Sequence, residues 1–395
     1  PGYGAIGSFQ QFGAPEVRFD VRYDPAVVRR ICEQAWREDF PAGTLGERDP
    51  DLDHGTMVPL YFILKQYQDF RLVRIGLSGQ PLTDHYRLGQ MIRQAVSECK
   101  RRAVFIASGD LSHKLQSYGP YGFAPEGPQY DERIMDVCSR AAFGELLEFN
   151  ESFCEKAAEC GHRSFVIMAG ALDGMAVEAE VFSHEDVTGV GYGICAFHVG
   201  KQDLERRFLD RYLEKQAAAV QEADAKADPY VRLARKTIEQ YVRTGTTKSL
   251  PEDLPKEMLK TRAGVFVSIH KHGALRGCIG TTGPTQSCVA EEIIQNAVSA
   301  ATNDPRFEAI RPEELPWLEI NVDVLGKPEA IESPDQLDPK RYGVIVTRGM
   351  RRGLLLPDLE GVDTVEQQIG IAKQKAGIRP EEAVSLQRFE VIRHI

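Results

Sequence analysis

The sequence lacks the long apolar runs and paired cysteines that mark membrane proteins and disulfide-rich proteins. No apolar run approaches the roughly 18 to 20 residues that a membrane-spanning helix requires, and no signal peptide opens the chain. The eight cysteines include no CxxC pair and are too sparse for a disulfide scaffold. We therefore expect a cytoplasmic protein with no membrane partner.

Clustered positive charge is also missing. The chain has 48 Lys and Arg against 58 Asp and Glu, a formal net charge of −10. Its basic runs, such as Lys100-Arg101-Arg102, are short and scattered. A nucleic-acid-binding surface needs clustered Lys and Arg to neutralise phosphates, so we expect no nucleic-acid partner.

The sequence does contain enough apolar residues for two hydrophobic cores. With 395 residues and 42% hydrophobic content, the chain exceeds what one core usually serves. An amphipathic stretch lies near the middle, and the Asp228-Pro229 pair after it is typical of a helix start. We predict a first domain at 1–199, a helical linker at 200–227 and a second domain at 228–395.

The two halves predict different arrangements of strands and helices. In the first half, Asp24-Pro25 is typical of a helix start, and 131–147 has a helical pattern. Between them, apolar runs at 70–77 and 103–108 flank another helical pattern at 84–100. This order indicates a parallel βαβ unit and hence an α/β domain. In the second half, strands and helices are mixed without that rhythm and end in a predicted closing strand at 385–394, which indicates an α+β domain.

The stretch from Val104 to His113 is the most informative part of the first half. An apolar run ends in a Ser-Gly-Asp turn and then presents a histidine, as expected for a buried strand with a site at its carboxyl end. A carboxylate beside an imidazole fixes its tautomer and favours its charged form, so Asp110 and His113 are candidates for acid–base catalysis. The alternative is a helix N-cap formed by Asp110 or Ser112, with His113 exposed.

A second histidine, His54, lies where a loop meets a helical pattern. Asp53 and Gly55 flank it, and Pro59 falls in the first turns of the helix. If that helix runs back along the sheet, His54 and His113 face one pocket. The structural alternative is a histidine that caps the helix start.

Two further features border this candidate site. A Gly- and Pro-rich loop after His113 carries Tyr118 and Tyr121 and is long enough to form a lid with an aromatic lining. Cys160 and His162 are both able to bind metals, although two side chains make no complete site and a buried cysteine is more often inert.

Together these motifs resemble those of the LigB-type class III extradiol ring-cleavage dioxygenases. The resemblance covers about residues 1–199 and is closest to the Memo-like branch named AmmeMemoRadiSam system protein B. It rests on four segments in the same order, which are Leu52-Asp53-His54-Gly55-Thr56, Ser108-Gly109-Asp110-Leu111-Ser112-His113, Cys160-Gly161-His162-Arg163 and Gly170-Ala171-Leu172.

The resemblance implies an Fe(II)-dependent oxidoreductase that acts on a small aromatic substrate. In those enzymes the histidine matched by His113 is the acid–base group, and the one matched by His54 binds near the substrate hydroxyl. Two histidines and a carboxylate hold the iron. Both metal histidines lie in motifs upstream of Pro1, and because the chain begins without methionine we expect residues missing there. The third ligand position falls near Cys160, as in the Memo-like branch.

The second half is most distinctive at Leu275-Arg276-Gly277-Cys278-Ile279-Gly280-Thr281. Arg276 and Cys278 share one face of an extended segment, so Arg276 could anchor a carboxylate or phosphate and stabilise the Cys278 thiolate. The alternative, which spacing alone favours, is a β-bulge or hairpin with Cys278 tucked into the core.

This half resembles the AMMECR family, named AmmeMemoRadiSam system protein A, over about residues 228–395. Further matching segments are Asn303-Asp304-Pro305-Arg306-Phe307, Pro312 and Gly353-Leu354-Leu355-Leu356-Pro357. The resemblance implies two packed α+β lobes and a groove lined by the Leu-Arg-Gly-Cys segment. A fusion of the two system proteins implies a radical S-adenosylmethionine protein as partner. The competing hypothesis is a non-enzymatic, metal-handling or protein-binding module joined to an AMMECR adaptor.

We predict that a chain of this sequence binds iron poorly. At least two imidazole ligands are absent, and the remaining Asp, His and Cys groups cannot enclose the metal alone. Metal analysis of the purified protein should find clearly substoichiometric iron, and stoichiometric iron would contradict the prediction.

Overall fold

The computed structural model describes residues 3–44, 51–247, 250–251, 253–271, 273–359 and 361–395. Contacts divide the chain into two units, Pro1–Leu213 and Glu214–Ile395. Each unit has its own buried hydrophobic core. The fold is α/β in class, with helices mixed among small antiparallel sheets.

The first unit is mainly helical, with two short antiparallel sheets. Its helices are α1 (Pro25–Arg37), α2 (His54–Leu64), α3 (Leu82–Glu98), α4 (Glu126–Ser139), α5 (Glu151–Ala157) and α6 (His162–Ala171). Its strands pair as two hairpins, β1 (Gly4–Phe9) with β2 (Ala14–Arg22) and β3 (Met175–Glu185) with β4 (Tyr192–Gln202).

Local capping signals place two helix starts where the sequence predicts them. Asp24 accepts hydrogen bonds from the backbone N–H groups of Ala26 and Val27 at the start of α1. Asp53 accepts one from Thr56 N at 2.8 Å, which makes His54 the first residue of α2. Such caps satisfy N–H groups that have no partner within the helix.

The predicted parallel strands at 70–77 and 103–108 are wrong. Within the described residues, 103–108 joins no β-ladder, and 70–77 makes a single parallel bridge between Leu72 and Tyr23. Val104 is 88% exposed, so the run is not an interior strand. The physical reason is that pairing stops early: Leu72 exchanges hydrogen bonds only with Arg22 and Asp24, at the end of β2, and 103–108 pairs with no strand in the described ranges.

Two predicted helices are shorter than the sequence suggests. The helical pattern at 131–147 ends at Ser139, because Ala141 adopts a positive φ of 48° and a 3-10 turn follows at Phe143–Glu148. The predicted linker helix begins later, as α7 (Phe208–Lys226), because β4 continues to Gln202. The first turns of α7 pack in the core of the first unit through Phe208, Leu209, Tyr212 and Leu213.

The second unit contains two four-stranded antiparallel sheets. The first sheet has the order β12-β7-β5-β6 and consists of β5 (Val265–Lys271), β6 (Ala274–Gly280), β7 (Leu318–Leu325) and β12 (Val391–His394). The second has the order β10-β9-β11-β8 and consists of β8 (Glu329–Ile331), β9 (Gly343–Arg348), β10 (Arg351–Leu355) and β11 (Ser385–Phe389). The predicted closing strand at 385–394 is therefore two strands that belong to different sheets.

Helices cover one side of each sheet. The first core lies between the first sheet and α8 (Pro229–Thr244), α9 (Lys256–Lys260) and α10 (Val289–Thr302). The second core lies between the second sheet and α11 (Val365–Lys375). Among the helices in the described ranges, none combines the length and apolar character needed to span a bilayer.

We predict that Gly170→Ala destabilises the first unit by about 3 kcal/mol, because overpacking a tight contact forces the backbone apart. Helices α3 and α6 cross where Gly170 meets Tyr86, and a methyl group at Gly170 would lie 1.9 Å from Tyr86 O. Urea unfolding of the variant measures the effect.

Gly370→Ala is the matched control for this substitution. Gly370 lies within α11, and an added methyl group there meets no atom within 4 Å. That variant should be more stable by about 0.5–1 kcal/mol, since alanine is the better helix former. Equal effects at the two glycines would contradict the packing argument.

Candidate functional site

Asp110, His113 and Cys160 come together in the first unit. One potential ligand atom from each residue lies within 4.8 Å of the others. His113 Nε2 is 3.3 Å from Asp110 Oδ2. The backbone N–H of Asp110 donates to Cys160 Sγ at 3.2 Å, so the two segments are joined directly.

Two glycines allow these segments to approach. A methyl group at Gly109 would lie 2.3 Å from Gly161 Cα, and one at Gly161 would lie 2.4 Å from the Phe165 ring. The backbone contact excludes a side chain at Gly109, and a side chain at Gly161 would require the Phe165 ring to move. The Ser-Gly-Asp and Cys-Gly-His segments therefore pack closely at these glycines. This packing places the Cys160 thiol beside the Asp110 carboxylate and the His113 imidazole.

A buried carboxylate holds the loop that carries His113. Asp131 in α4 is 1% exposed, and it accepts a hydrogen bond from Ser112 N at 2.8 Å. Its other oxygen lies 2.7 Å from His184 Nε2 in β3. Burial raises the pKa of Asp131, although the hydrogen bonds from His184 and Ser112 oppose the shift. Sequence reasoning did not single out either Asp131 or His184.

The helix N-cap interpretation of this loop is wrong. No helix begins between Asp110 and Pro125 in the structure, and the next one is α4, which starts at Glu126. Ser112 instead donates its hydroxyl to Ala157 O at 2.8 Å and accepts from Lys114 N at 3.0 Å.

The His113 ring is half-buried, and one of its nitrogens lacks a hydrogen-bond partner among the described residues. Its Nε2 atom is shielded from solvent and makes no hydrogen bond of acceptable geometry with the described residues. Tyr121 of the predicted lid stacks on the ring, with centroids 5.0 Å apart and an angle of 25° between the planes. Tyr118 of the same loop is 72% exposed.

Cys160 and His162 lie in different environments. Burial raises the pKa of the Cys160 thiol, and the nearby carboxylates of Asp110 and Glu159 raise it further. The hydrogen bond from Asp110 N opposes this shift. His162 is buried, with Nδ1 3.2 Å from Tyr130 OH and Nε2 3.0 Å from Leu146 O. Burial lowers the pKa of His162 to about 4, so it is a neutral core histidine.

His54 is exposed at the start of α2, with its ring edge-on to Phe12 at 6.2 Å. The Ser108 hydroxyl donates to Gly55 O at 2.7 Å, which ties the segment before Asp110 to the first turn of α2. That His54 and His113 face a common pocket stays a prediction.

In the second unit, Cys278 lies on the face of β6 opposite α10, and Arg276 is the unpaired extra residue of the β5–β6 bulge. Gly277 between them points towards α10, where a methyl group would lie 2.2 Å from Ala300 O. The predicted hairpin and bulge are present, with a register shift between Ile269 and His270. Cys278 is half-buried on the face away from α10 and is not tucked into the core.

Arg276 anchors a carboxylate of its own chain. Its Nε donates to Glu314 Oε1 and its Nη2 to Glu314 Oε2, both at 3.0 Å. Its Nη1 donates to Glu308 O at 2.8 Å. Its guanidinium is therefore already paired with a carboxylate of this chain, and its action on a ligand or on Cys278 stays a prediction. Burial raises the pKa of Glu314, but hydrogen bonds from Arg276, Arg311 N and Lys271 outweigh it and hold the pKa at about 2.

The backbone at Cys278 is held by a second buried carboxylate. Cys278 N donates to Asp304 Oδ2 at 2.9 Å, and Asp304 also pairs with Arg306 at 2.8 Å. The hydrogen bonds from Arg306 hold the pKa of Asp304 well below its usual range against the effect of burial. The Ser268 hydroxyl donates to Cys278 Sγ at 3.3 Å.

Comparison with known proteins accounts for both units. Residues 3–195 match the family of the catalytic LigB subunit of aromatic ring-opening dioxygenase, and residues 231–394 match AMMECR1. A protein of Clostridium acetobutylicum is 40% identical over 403 residues, covering 98% of this chain and 84% of that protein. This chain belongs to the clostridial protein's family. In this chain, a LigB domain is fused to an AMMECR1 domain.

Other relatives match less than half of this chain. A protein of Thermotoga maritima is 54% identical over 169 residues, covering 42% of this chain and 97% of that protein. The crystal structure of an uncharacterized protein from Pyrococcus horikoshii is 34% identical, covers 43% of this chain and 91% of that chain, and gives a TM-score of 0.40.

A signal in the sequence of the AMMECR1 domain could have found the polar face around Cys278. Residues 265–271 alternate apolar side chains with Ser268 and His270, which is typical of a strand with one core face and one polar face. No comparable local signal marks Asp131 in the LigB domain, because a single aspartate within a helical pattern is usually solvated.

We predict that Glu314→Gln destabilises the AMMECR1 domain by about 3 kcal/mol at pH 7, because it leaves Arg276 and Lys271 without their partner. The folded-state pKa of Glu314 is depressed, so its contribution to stability is present above about pH 4.5 and is lost as the pH falls towards 2. Urea unfolding at pH 7 and at low pH measures both effects, and the gap between wild type and variant should narrow in acid.

Glu308→Gln is the control for this prediction. The Glu308 side chain is 85% exposed and forms only a 3.5 Å pair with Arg311, so the cost should stay within about 0.5 kcal/mol. A Glu314→Gln variant as stable as this control would show that the Glu314 carboxylate does not stabilise the AMMECR1 domain.

Proposed function

We propose that the LigB domain is a dioxygenase-like oxidoreductase in which His113 exchanges a proton with the hydroxyl of a small aromatic substrate. The observation that carries the proposal is the state of His113 Nε2, which is shielded from solvent and has no hydrogen bond among the described residues. A buried polar atom without a partner is costly, and a catalytic role, in which a ligand supplies the partner, is one explanation for such an atom.

The surroundings of His113 suit proton transfer. Asp110 Oδ2, 3.3 Å from Nε2, stabilises the imidazolium that forms when the ring accepts a phenolic proton. Tyr121 packs on one ring face and limits access of water. Asp131 holds the neighbouring backbone through Ser112 N, so the ring does not have to reorganise when the proton moves.

The described donors do not make a complete Fe(II) triad. That triad needs two imidazoles and a carboxylate, and the cluster offers one imidazole, one carboxylate and one thiol. In extradiol chemistry iron activates dioxygen and orients the substrate. The proton transfer proposed for His113 depends only on residues of this chain, and Fe(II) as the cofactor remains a proposal.

A second candidate function is non-enzymatic metal handling. It is favoured by Cys160, since a thiolate beside an imidazole selects softer metals such as Cu(I) or Zn(II) over the iron of an oxygenase. In that case His113 is a ligand and not an acid–base group, because one nitrogen cannot hold a metal and a proton together.

We also infer membership of the AmmeMemoRadiSam system, with a radical S-adenosylmethionine protein as partner and a cytoplasmic location. Support comes from the fusion in one chain of two domains that match the LigB and AMMECR1 families. The eight cysteines, all free, suit a reducing compartment.

We predict that 4-nitrocatechol binds to the metal-free protein in a more ionised form than it has in solution at the same pH, because His113 accepts its proton. Absorbance of the nitrocatecholate reports the ionisation directly. His113→Gln should lower the apparent ionisation constant of the bound ligand about tenfold, which corresponds to one pKa unit.

His198→Gln serves as the control, because His198 is exposed and pairs only with Glu180 on the β3–β4 hairpin. It should bind and ionise the ligand like wild type. The acid–base role would be refuted if the bound ligand were not more ionised in wild type, or if His198→Gln lost this ionisation as His113→Gln does. Metal handling would then be the better function.

A further inference from the structure

The Nε2 atom of His113 is closed off in the conformation that the structure shows. The atom is shielded from solvent, although the His113 side chain as a whole is 19% exposed. Because a phenol is larger than water, an atom that water does not reach is also out of reach of a substrate hydroxyl. A group next to the ring therefore has to move before Nε2 can accept a proton from a ligand.

The groups around the ring differ in how firmly they are held. Asp110 is fixed through its backbone, because its N–H donates to Cys160 Sγ at 3.2 Å and its carbonyl accepts from Cys160 N at 3.4 Å. Tyr121 covers one face of the ring, with centroids 5.0 Å apart, and is itself 59% exposed. Tyr121 therefore loses less packing than the Asp110 segment if it moves away.

The first half of the loop that carries this tyrosine is fixed to the turn between β3 and β4. Gln116 Nε2 donates to Asp186 Oδ2 at 2.8 Å. Gly119 and Gly189 touch, since a methyl group on Gly189 would lie 2.7 Å from Gly119 Cα. Movement of the loop is therefore confined to the residues beyond Gly119.

The segment 120–122 is held less tightly than the first half of the loop. It lies between Gly119 and the antiparallel bridge that Phe123 forms with Leu115 at the base of the loop. Gly122 N donates to Gly119 O at 3.2 Å, which is a contact within the loop itself. A methyl group on Gly122 would meet no atom within 4 Å, so this segment can turn without a clash at Gly122.

We propose that Tyr121 is a gate over His113. In the closed state its ring lies on the imidazole and keeps Nε2 from solvent, and a turn of the segment 120–122 swings the ring outwards and admits a small aromatic molecule. A ring contact of this kind favours the stacked state by up to about tenfold, which leaves a minor open state populated. The gate rests on the proposed function, because the atom that it covers is the proton acceptor assigned there.

Acylation by diethyl pyrocarbonate tests the gate on the full chain without a substrate. The reagent carbethoxylates imidazole nitrogens, and chromatography with mass spectrometry separates the Nε2 adduct from the Nδ1 adduct. The exposed His198 gives the reference rate in each sample. Tyr121→Ala should raise the Nε2 rate at His113 by about tenfold, because the closed state is lost with the ring. Tyr121→Phe should keep the wild-type rate, since the stacking ring remains.

Tyr118→Ala is the matched control. Tyr118 lies in the same loop and is 72% exposed, so its removal should leave the Nε2 rate at His113 unchanged. Equal rates in wild type and Tyr121→Ala, or the same increase in Tyr118→Ala, would overturn the gate. Ionisation of bound 4-nitrocatechol judges the acid–base role separately. A tenfold effect of Tyr121→Ala together with a ligand that is not ionised would therefore support the gate and refute only the acid–base role.

Discussion

The buried carboxylate of Asp131 is the contact on which the candidate site of the LigB domain depends. It joins three parts of that domain, because α4 carries it, Ser112 donates to it from the loop, and His184 reaches it from β3. An aspartate that is 1% exposed is tolerated only if its oxygens are satisfied, so the three parts are held together by a shared requirement. The loop with Asp110 and His113 has no regular secondary structure of its own, and this carboxylate holds it together with backbone hydrogen bonds such as that from His113 N to Ala157 O at 3.2 Å.

The AMMECR1 domain uses the same device at its own candidate site. Asp304 is 4% exposed, accepts the backbone N–H of Cys278 and is neutralised by Arg306. In each domain, then, a buried aspartate fixes the backbone at or next to the reactive side chain and leaves that side chain without a strong hydrogen-bond partner. This arrangement keeps His113 and Cys278 positioned without using up the atoms that would contact a ligand.

How much could be predicted from the sequence follows from how local each signal is. The starts of α1 and α8 were predictable because Asp24-Pro25 and Asp228-Pro229 cap helices through contacts within three residues. The strand at 103–108 was not, because an apolar run does not reveal whether neighbouring strands exist to pair with it.

Partners distant in sequence explain the remaining differences at the sites. Arg276 looked available for a ligand because its partner, Glu314, lies 38 residues away. By contrast, the Asp110, His113 and Cys160 cluster could be proposed from motif resemblance, although its cohesion depends on two close glycine backbones that spacing alone does not show.

The most direct test of the account is whether Asp110, His113 and Cys160 act as one ligand site. Titration of the metal-free protein with Co(II) reports thiolate ligation through a sulfur-to-cobalt charge-transfer band. Because the account assigns His113 to proton transfer and finds no complete ligand set, we expect no such band in wild type. A band that appears in wild type and in Cys154→Ser, whose thiol is buried in the core nearby, and that is lost in Cys160→Ser would contradict the account and support metal handling.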